Sequence, residues 1–254
     1  MTYATTTTPR AWVLLHGFTG SPASWDAVVA ALPSDVHVLR PALLGHGNAA
    51  GVRVPSFEAE VERIADLIER EGLDRPGLCG YSLGGRVALG LLARHPGRFA
   101  RAVLVGAHPG LADVAERQAR AVQDAQWADL LETGGLAAFV QAWERLPLFA
   151  TQEALPQALR ERQRAVRLAH DPAGLARSLR VLGLGRMPDH RPALGAIRVP
   201  ARLMAGERDD KFRRLAETMA RAWGGPAEPV VLAGAGHNLP LERPAELAEE
   251  MVSS

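Results

Sequence analysis

One serine in a glycine-rich segment is well placed for nucleophilic or basic chemistry. Ser82 lies in GYSLGG (residues 80–85), which follows the short apolar run Gly77–Gly80 and opens a helical pattern. A Gly-x-Ser-x-Gly sequence between a strand and a helix is typical of a nucleophile elbow, a sharp turn that exposes the serine hydroxyl. The glycines are expected because side chains there would collide with neighbouring backbone. This context, more than the pattern alone, predicts the elbow.

Two downstream residues could activate this serine. His237 lies in GAGHN (234–238), just after the last apolar run, and Asp209 ends GERD (206–209), just after the previous run. The chain order Ser82, Asp209, His237 is the order of triads in the α/β-hydrolase fold. The histidine would accept the serine proton, and the aspartate would fix the tautomer and orientation of the ring. Asp210 is the alternative acid, but Asp209 is favoured because it directly follows the turn.

The loop after the first apolar run is the expected source of an oxyanion hole. It reads HGFTG (16–20). In this fold one backbone N–H comes from that loop and one from the residue after the nucleophile. We therefore predict that the N–H groups of Phe18 and Leu83 stabilise a negatively charged oxygen. His16, and His46 in PALLGHG (41–47), are expected to be structural, with His16 hydrogen-bonded beneath the loop.

Short apolar runs alternate with helical patterns along most of the chain. Strands are predicted at Ala11–Leu15, Val36–Leu39, Gly77–Gly80, Ala102–Val105, Ala201–Ala205 and Val230–Leu232. Helices are predicted around Phe57–Ile68, from Ser82 to about Arg94, at Phe212–Trp223 and at Ala245–Met251. This alternation predicts an α/β protein of the α/β-hydrolase type, with a mostly parallel central sheet flanked by helices. Residues 1–254 are expected to form a single domain.

The alternation breaks between about residues 110 and 192. That stretch has helical patterns, several prolines and no convincing strand, and it contains Trp127, Phe139, Trp143 and Phe149. The sheet pattern resumes cleanly at Val199. An inserted helical lid is therefore the favoured interpretation, and extra helices packed on the sheet edge are the alternative.

The composition argues against several classes of function. The chain has 254 residues, 47% of them hydrophobic, which suffices for one large domain with a sizeable core. Lys+Arg 29 against Asp+Glu 28 gives a net charge of +1, which argues against a nucleic-acid binder. The histidines show no metal-ligand spacing, and no phosphate loop or dinucleotide fingerprint is present. We therefore expect neither a metal nor an organic cofactor.

Cysteine content and apolar segments bear on the compartment. Cys79 is the single cysteine, so an internal disulfide is excluded, and it is expected to be a small core residue. Met1–Arg10 is threonine-rich, with the tract Thr5–Thr8, and lacks the apolar region of a signal peptide. No apolar stretch approaches the roughly 20 residues that span a bilayer. A cytoplasmic protein without a membrane span is expected, and its oligomeric state stays open.

Further segments resemble one particular family. The elbow helix continues as GYSLGGRVA (80–88), and the acid segment reads GERDDKF (206–212), which places Lys211 beside the acid. Together with HGFTGSPASW, HPGL, AERQAR, QWA, PLFA and GAGHN, these segments resemble the 2-succinyl-6-hydroxy-2,4-cyclohexadiene-1-carboxylate synthases of menaquinone biosynthesis. The resemblance runs over most of the chain, including the predicted lid.

The resemblance implies a carbon–oxygen lyase that uses no cofactor. In that family pyruvate is eliminated from 2-succinyl-5-enolpyruvyl-6-hydroxy-3-cyclohexene-1-carboxylate after a proton is removed, with the triad as general base. This small anionic substrate carries three carboxylates, and arginine is suited to bidentate carboxylate pairing. By motif match, the residues implied to bind substrate are Arg86, Arg120, Arg167, Tyr81 and Trp143.

Two other functions remain open on the sequence. A serine esterase or carbon–carbon bond hydrolase acting on a small carboxylate-bearing substrate would use the same triad, and it would tolerate loss of the lid arginines. A non-catalytic binding protein of this fold is a third interpretation, against which the complete set Ser82, Asp209 and His237 argues.

Overall fold

The structure, a computed structural model that describes residues 9–253, is built around a parallel sheet. The six strands of these residues follow the order β2-β1-β3-β4-β5-β6. They are β1 (Ala11–Leu15), β2 (His37–Leu39), β3 (Gly77–Tyr81), β4 (Arg101–Val105), β5 (Ala201–Gly206) and β6 (Ala227–Leu232). The predicted α/β fold class is confirmed. The Thr5–Thr8 tract and most of Met1–Arg10 lie outside the described residues.

Helices connect and cover the strands. The α-helices are α1 (Asp26–Ala31), α2 (Phe57–Arg70), α3 (Leu83–Arg94), α4 (Val114–Thr133), α5 (Gly135–Glu144), α6 (Gln157–Leu168), α7 (Pro172–Leu182), α8 (Asp210–Ala222), α9 (Leu239–Glu242) and α10 (Pro244–Val252). Short 3-10 helices occupy Pro22–Trp25, Gly47–Ala49, Pro147–Ala154 and Arg191–Ala196. The four predicted helices are present as α2, α3, α8 and α10.

The central strands are apolar on both faces because helices cover both sides of the sheet. In β1, Val13 and Leu15 pack into one core, and Trp12 and Leu14 pack into the other. The first core contains apolar residues of α2, α3 and α8, and the second contains residues of α1 and α10. Parallel strands buried on both faces are expected to read as continuous apolar runs. The sequence AWVLL of β1 has this character.

The chain between β4 and β5 forms a separate helical layer, here called the cap segment and defined as α4–α7 (residues 114–182). No strand occurs in it. The cap segment has its own small core, which includes the fully buried Phe139, Val140 and Leu175. Phe18, from the loop after β1, and Trp143 pack against this core. The cap segment therefore packs against the rest of the molecule near the end of β1.

The parallel arrangement brings four loops to one edge of the sheet. The carboxyl ends of β1, β3, β5 and β6 lead respectively to HGFTG, Ser82, Asp209 and His237. Ligands in open α/β sheets bind at this edge. Within residues 9–253, no helix is both long and apolar enough to cross a bilayer.

Candidate active site

The serine that follows β3 sits in a turn that few residues adopt. Ser82 has φ +51° and ψ −107°, between the end of β3 and the start of α3. Positive φ is uncommon for a residue with a side chain and persists where surrounding contacts enforce it. Two glycines allow the close approach: a Cβ on Gly80 would lie 2.4 Å from the Gly84 oxygen, and a Cβ on Gly84 would lie 2.0 Å from the Leu15 oxygen. The turn presents the Ser82 hydroxyl at the edge of the sheet.

The structure brings Ser82, His237 and Asp209 into one hydrogen-bonded row. Ser82 Oγ lies 3.1 Å from His237 Nε2, and His237 Nδ1 lies 2.6 Å from Asp209 Oδ2. A carboxylate can only accept, so Nδ1 carries the proton and Nε2 accepts the hydrogen bond from the Ser82 hydroxyl. This is the tautomer that a general base acting on a serine requires.

The two candidate acids occupy different environments. The Asp209 side chain is 6% exposed and contacts His237, whereas the Asp210 side chain is 68% exposed. Asp210 accepts a hydrogen bond from Arg213 at 2.9 Å, and this contact lowers the pKa of Asp210. The structure therefore places Asp209, and not Asp210, beside the histidine.

A buried glutamate that the sequence reasoning missed holds the histidine loop. The Glu242 carboxylate accepts hydrogen bonds from the backbone N–H groups of Gly236 at 2.8 Å and Asn238 at 3.1 Å, one on each side of His237. Hydrogen bonds to a charged acceptor are stronger than neutral ones, so this contact fixes the position of the ring. An acidic residue shortly after GAGHN was the signal available in the sequence.

The two N–H groups predicted to form an oxyanion hole belong to residues that line the same cavity as Ser82. Phe18 lies in the loop after β1, and Leu83 is the first residue of α3, where an N–H has no partner within the helix. His16 supports the loop from beneath. Its Nδ1–H donates to the Gly17 carbonyl at 2.8 Å, and its Nε2 accepts from the Leu43 N–H at 3.1 Å. The structural role predicted for His16 is thereby confirmed.

A cavity of about 200 Å³ opens onto Ser82 and His237. Aromatic side chains form part of its wall, including Tyr81 and Trp143. The Tyr81 ring lies 5.3 Å from the His237 ring, and burial raises the pKa of the Tyr81 phenol. The Trp143 indole stacks on Phe139, and in the described part of the chain its buried Nε1–H has no hydrogen-bond partner. A ligand here would meet apolar aromatic faces.

Two of the arginines predicted to bind substrate line this cavity. Arg86, on the first turn of α3, donates from Nη1 to the Leu182 carbonyl at 2.6 Å. Arg120, on α4, donates from Nε to Asp124 at 2.9 Å. Each guanidinium carries five N–H donors. These contacts orient each arginine, while further donors are left for a ligand.

The cavity wall carries an excess of positive charge. Arg86, Arg120 and Lys211 line it, against one carboxylate, that of Asp124, among the described residues. Burial and the nearby Arg120 lower the pKa of Arg86 to about 10 and also lower the pKa of Lys211. Burial, followed by the charge of Lys211, lowers the pKa of His108 to about 3. An anion bound here would relieve this repulsion among like charges.

Arg167 lies away from the cavity wall. Its side chain is 4% exposed, and its Nη1 donates to Glu144 at 2.9 Å. The guanidinium stacks on Phe149 at 5.3 Å, and Phe149 is the residue that faces the cavity. The structure therefore brings Arg86 and Arg120 to one surface and leaves Arg167 paired behind it.

One further cavity residue was not singled out from the sequence. His108 follows β4, and its Nδ1 accepts the Gly110 N–H at 3.1 Å, so the neutral ring carries its proton on Nε2. His108 thus supplies a polar donor without a charge. In the sequence, HPGL contributes only to the family resemblance.

Among residues 9–253, no group of three or more His, Cys, Asp or Glu side chains is arranged to hold a metal ion.

Comparison with known proteins places the chain in a family. The sequence pattern of the alpha/beta hydrolase family matches residues 12–250. The 2-succinyl-6-hydroxy-2,4-cyclohexadiene-1-carboxylate synthase of Enterobacter sp. (strain 638) is 37% identical over 236 residues, which cover 93% of this chain and 88% of that protein.

Solved structures agree with this assignment. MenH from S. aureus superposes with a TM-score of 0.90 at 29% identity, covering 98% of this chain and 93% of that chain. A thermophilic esterase from Thermogutta terrifontis, solved with malate bound, gives a TM-score of 0.82 at 25% identity, covering 96% and 89%. The chain therefore belongs to the alpha/beta hydrolase family and, within it, to the family of 2-succinyl-6-hydroxy-2,4-cyclohexadiene-1-carboxylate synthases.

Proposed function

We propose that this protein eliminates pyruvate from 2-succinyl-5-enolpyruvyl-6-hydroxy-3-cyclohexene-1-carboxylate to give 2-succinyl-6-hydroxy-2,4-cyclohexadiene-1-carboxylate, a reaction of menaquinone biosynthesis. The observation that carries this proposal is the cationic wall beside Ser82, formed by Arg86, Arg120 and Lys211. A substrate with three carboxylates matches this excess of charge. The relative that carries the name is similar over more than nine-tenths of the chain.

In this reaction Ser82 is a base and not a nucleophile. Its hydroxyl gives a proton to His237 Nε2, and the Ser82 oxygen takes a proton from the substrate carbon beside a carbonyl. Asp209 stabilises the imidazolium that forms. The 3.1 Å and 2.6 Å contacts along this row support such a transfer. No bond forms between Ser82 and the substrate.

The electrons of the broken C–H bond move onto the carbonyl oxygen, and the N–H groups of Phe18 and Leu83 stabilise the resulting enolate. When the enolate collapses, a carbon–carbon double bond forms and the C–O bond to the enolpyruvyl group breaks. The leaving group takes the proton held by His237 and is released as pyruvate. No water is consumed, so the reaction is an elimination.

The cap segment serves as a lid over this reaction. It contributes Arg120 and Trp143 to the cavity wall, and its core packs against Phe18. Exclusion of water strengthens the pairing of guanidinium with carboxylate and protects the enol ether from hydrolysis. Arg167 pairs with Glu144 through Nη1 and is not among the residues that line this cavity.

An esterase is the second candidate function. The row of Ser82, His237 and Asp209 could equally activate the serine for attack on an ester carbonyl. The similarity to the Thermogutta terrifontis esterase favours this alternative. Ester hydrolysis would not require three cations in the cavity wall.

Two substrates separate these functions. We expect the purified protein to release pyruvate from the enolpyruvyl substrate and to act poorly on p-nitrophenyl acetate. Lys211→Ala is expected to raise KM for the enolpyruvyl substrate about 10-fold, because loss of one charge-assisted hydrogen bond costs about 1.5 kcal/mol of binding free energy. Arg214→Ala is the matched control, because Arg214 is an exposed cation of α8 outside the cavity wall. Rapid ester turnover without pyruvate release would favour the esterase.

A further inference from the structure

Thr19, the residue after Phe18, has a strained backbone. Its φ is +63°, and it is 1% exposed. Positive φ is unfavourable for a β-branched residue, because its Cβ approaches the neighbouring carbonyl. Such a conformation persists only when the surrounding structure holds it. The contacts that hold Thr19 therefore also fix the loop that carries the Phe18 N–H.

Two histidine side chains bind the backbone of Thr19. The Thr19 N–H donates to His46 Nε2 at 3.1 Å. The Thr19 carbonyl lies 3.1 Å from His170 Nε2, and because a carbonyl accepts, this nitrogen is the donor. His46 belongs to the loop after β2, whereas His170 lies between α6 and α7. Thr19 is thus held at its N–H by the loop after β2 and at its carbonyl by the cap segment.

The two histidines support each other in these roles. Their rings pack edge to face, 5.2 Å apart. His46 Nδ1–H donates to the Leu44 carbonyl at 2.9 Å, which leaves Nε2 free to accept from Thr19. Burial lowers the pKa of both histidines, that of His46 well below its usual range. Both rings are therefore neutral at pH 7, and both bonds to Thr19 are kept.

We propose that His170 is a positioning residue, through which the cap segment holds the oxyanion hole in its working geometry. Phe18 lies inside a turn closed by the Gly20 N–H and the Gly17 carbonyl at 3.0 Å. Without His170 the Thr19 carbonyl is released, the turn relaxes, and the Phe18 N–H moves away from the reacting oxygen. This inference rests on the proposed function only in giving Phe18 an anionic oxygen to stabilise, and it holds for enolate and ester chemistry alike.

The test changes the hydrogen-bond donor that residue 170 presents to the Thr19 carbonyl. His170→Ala removes it, and His170→Gln returns a neutral N–H of similar reach. We expect His170→Ala to lower kcat about 10- to 100-fold with KM within about 2-fold, because loss of an oxyanion donor affects the transition state. His170→Gln should recover most of the loss. Labelling of Ser82 by a fluorophosphonate, followed by intact mass, should slow in the same order, since its phosphoryl oxygen uses the same N–H groups.

Arg177→Ala is the matched control. Arg177, on α7, donates to the Ala50 carbonyl at 2.6 Å, so it is another bond between the cap segment and the rest of the molecule, and it does not touch Thr19. Rates for this variant should equal those of the wild type. The proposal is overturned if Arg177→Ala loses as much as His170→Ala, if His170→Ala stays within 2-fold of the wild type, or if His170→Gln is as slow as His170→Ala.

Two precautions keep the test decisive. If circular dichroism shows that His170→Ala does not fold, His170→Asn, whose amide is shorter, is compared with His170→Gln, and equal rates for this pair overturn the proposal. The labelling assay does not depend on the natural substrate. Failure of the proposed function would appear as absence of pyruvate release by the wild type, while failure of this inference would appear as unchanged labelling of Ser82 in the variants.

Discussion

Ser82, the proposed base, has a strained backbone, while the groups around it are fixed by hydrogen bonds. A backbone such as that of Ser82, with φ +51°, costs about 1–3 kcal/mol. His237 is held by Asp209 at 2.6 Å and by the Glu242 contacts to its neighbouring N–H groups. Because these groups are in place before substrate binds, they need no reorganisation in the transition state. The site is therefore preorganised residue by residue.

Replacing Ser82 or His237 by alanine is expected to lower kcat for pyruvate release by several orders of magnitude. The two act as one unit, so the double variant should be little slower than either single variant. Asp209→Ala should also be slow, and Asp210→Ala, its exposed neighbour, is the matched control and should keep wild-type activity. Losses that multiply in the double variant would argue that the residues act separately.

The cavity arginines are expected to contribute through substrate carboxylates. Each charge-assisted contact is worth roughly 1.5–3 kcal/mol, so Arg86→Ala or Arg120→Ala should lower kcat/KM about 10- to 200-fold. Arg117→Ala, on α4 but outside the cavity wall, is the control and should change kcat/KM little. Thermal unfolding checks that each variant keeps its fold. Unchanged kcat/KM in both test variants would favour the esterase.

At the scale of elements, the site depends on strands that end at one edge of the sheet. Each predicted chemical group directly follows an apolar run, so β1, β3, β5 and β6 deliver them to neighbouring positions. The connection from β3 to α3 leaves no room for a side chain at Gly84, because α3 starts against the backbone of Leu15 and His16. The geometry of the elbow is set by packing between elements as much as by the turn itself.

A methyl group added at Gly84 is expected to disrupt this packing. Its Cβ would lie 2.0 Å from the Leu15 carbonyl oxygen. Because this oxygen belongs to the backbone, no side-chain rotation can relieve the contact. Gly84→Ala should therefore lower the free energy of unfolding by more than about 2 kcal/mol, measured by urea titration. Gly51→Ala is the control, because a Cβ there meets nothing within 4 Å. Equal stability of the two variants would contradict the packing account.

Element positions were predictable where a local pattern decides them, and less so at the edge of the sheet. The bounds of β1 were predicted as observed, because AWVLL is apolar throughout. β6 begins at Ala227 and not at Val230. An edge strand tolerates Glu228 and Pro229, although these residue types are unfavourable inside a sheet and predict the end of a strand.

Contacts that close the site across the chain could not be predicted in this way. Ser82, Asp209 and His237 were found because each occupies a recognisable motif. Glu242 was missed although it follows GAGHN closely in the sequence. His170 was missed because nothing local marks it, since its bond to Thr19 joins residues 151 positions apart. Packing of the cap segment also decides that Arg167 pairs with Glu144.

The stability of the whole molecule is expected to depend on pH through its buried histidines. Burial lowers the pKa of His16 from its usual 6.5 to about 4. Below pH 6.5 the unfolded chain binds a proton that the folded chain does not bind until about pH 4. Stability is therefore full above pH 6.5 and is lost as the pH falls toward 4, by roughly 3 kcal/mol for this residue.

Urea unfolding at pH 7.5 and pH 4.5 measures this loss. The free energy of unfolding should be lower at pH 4.5, and His16→Gln, which cannot titrate, should reduce the difference. His37→Gln is the control, because His37 is an exposed residue of β2. A free energy of unfolding that stayed constant or rose on acidification would contradict the assignment of His16 as a buried neutral group.

The mass of the ring product tests the proposed reaction most directly. Elimination removes pyruvate without adding water, whereas hydrolysis of the enol ether also releases pyruvate but leaves the ring one water heavier. We expect mass spectrometry to show a ring product equal to the substrate minus pyruvate, and rapid quenching to show Ser82 unmodified during turnover. A ring product one water heavier, or a substrate adduct on Ser82 that forms and decays at the turnover rate, would contradict the account.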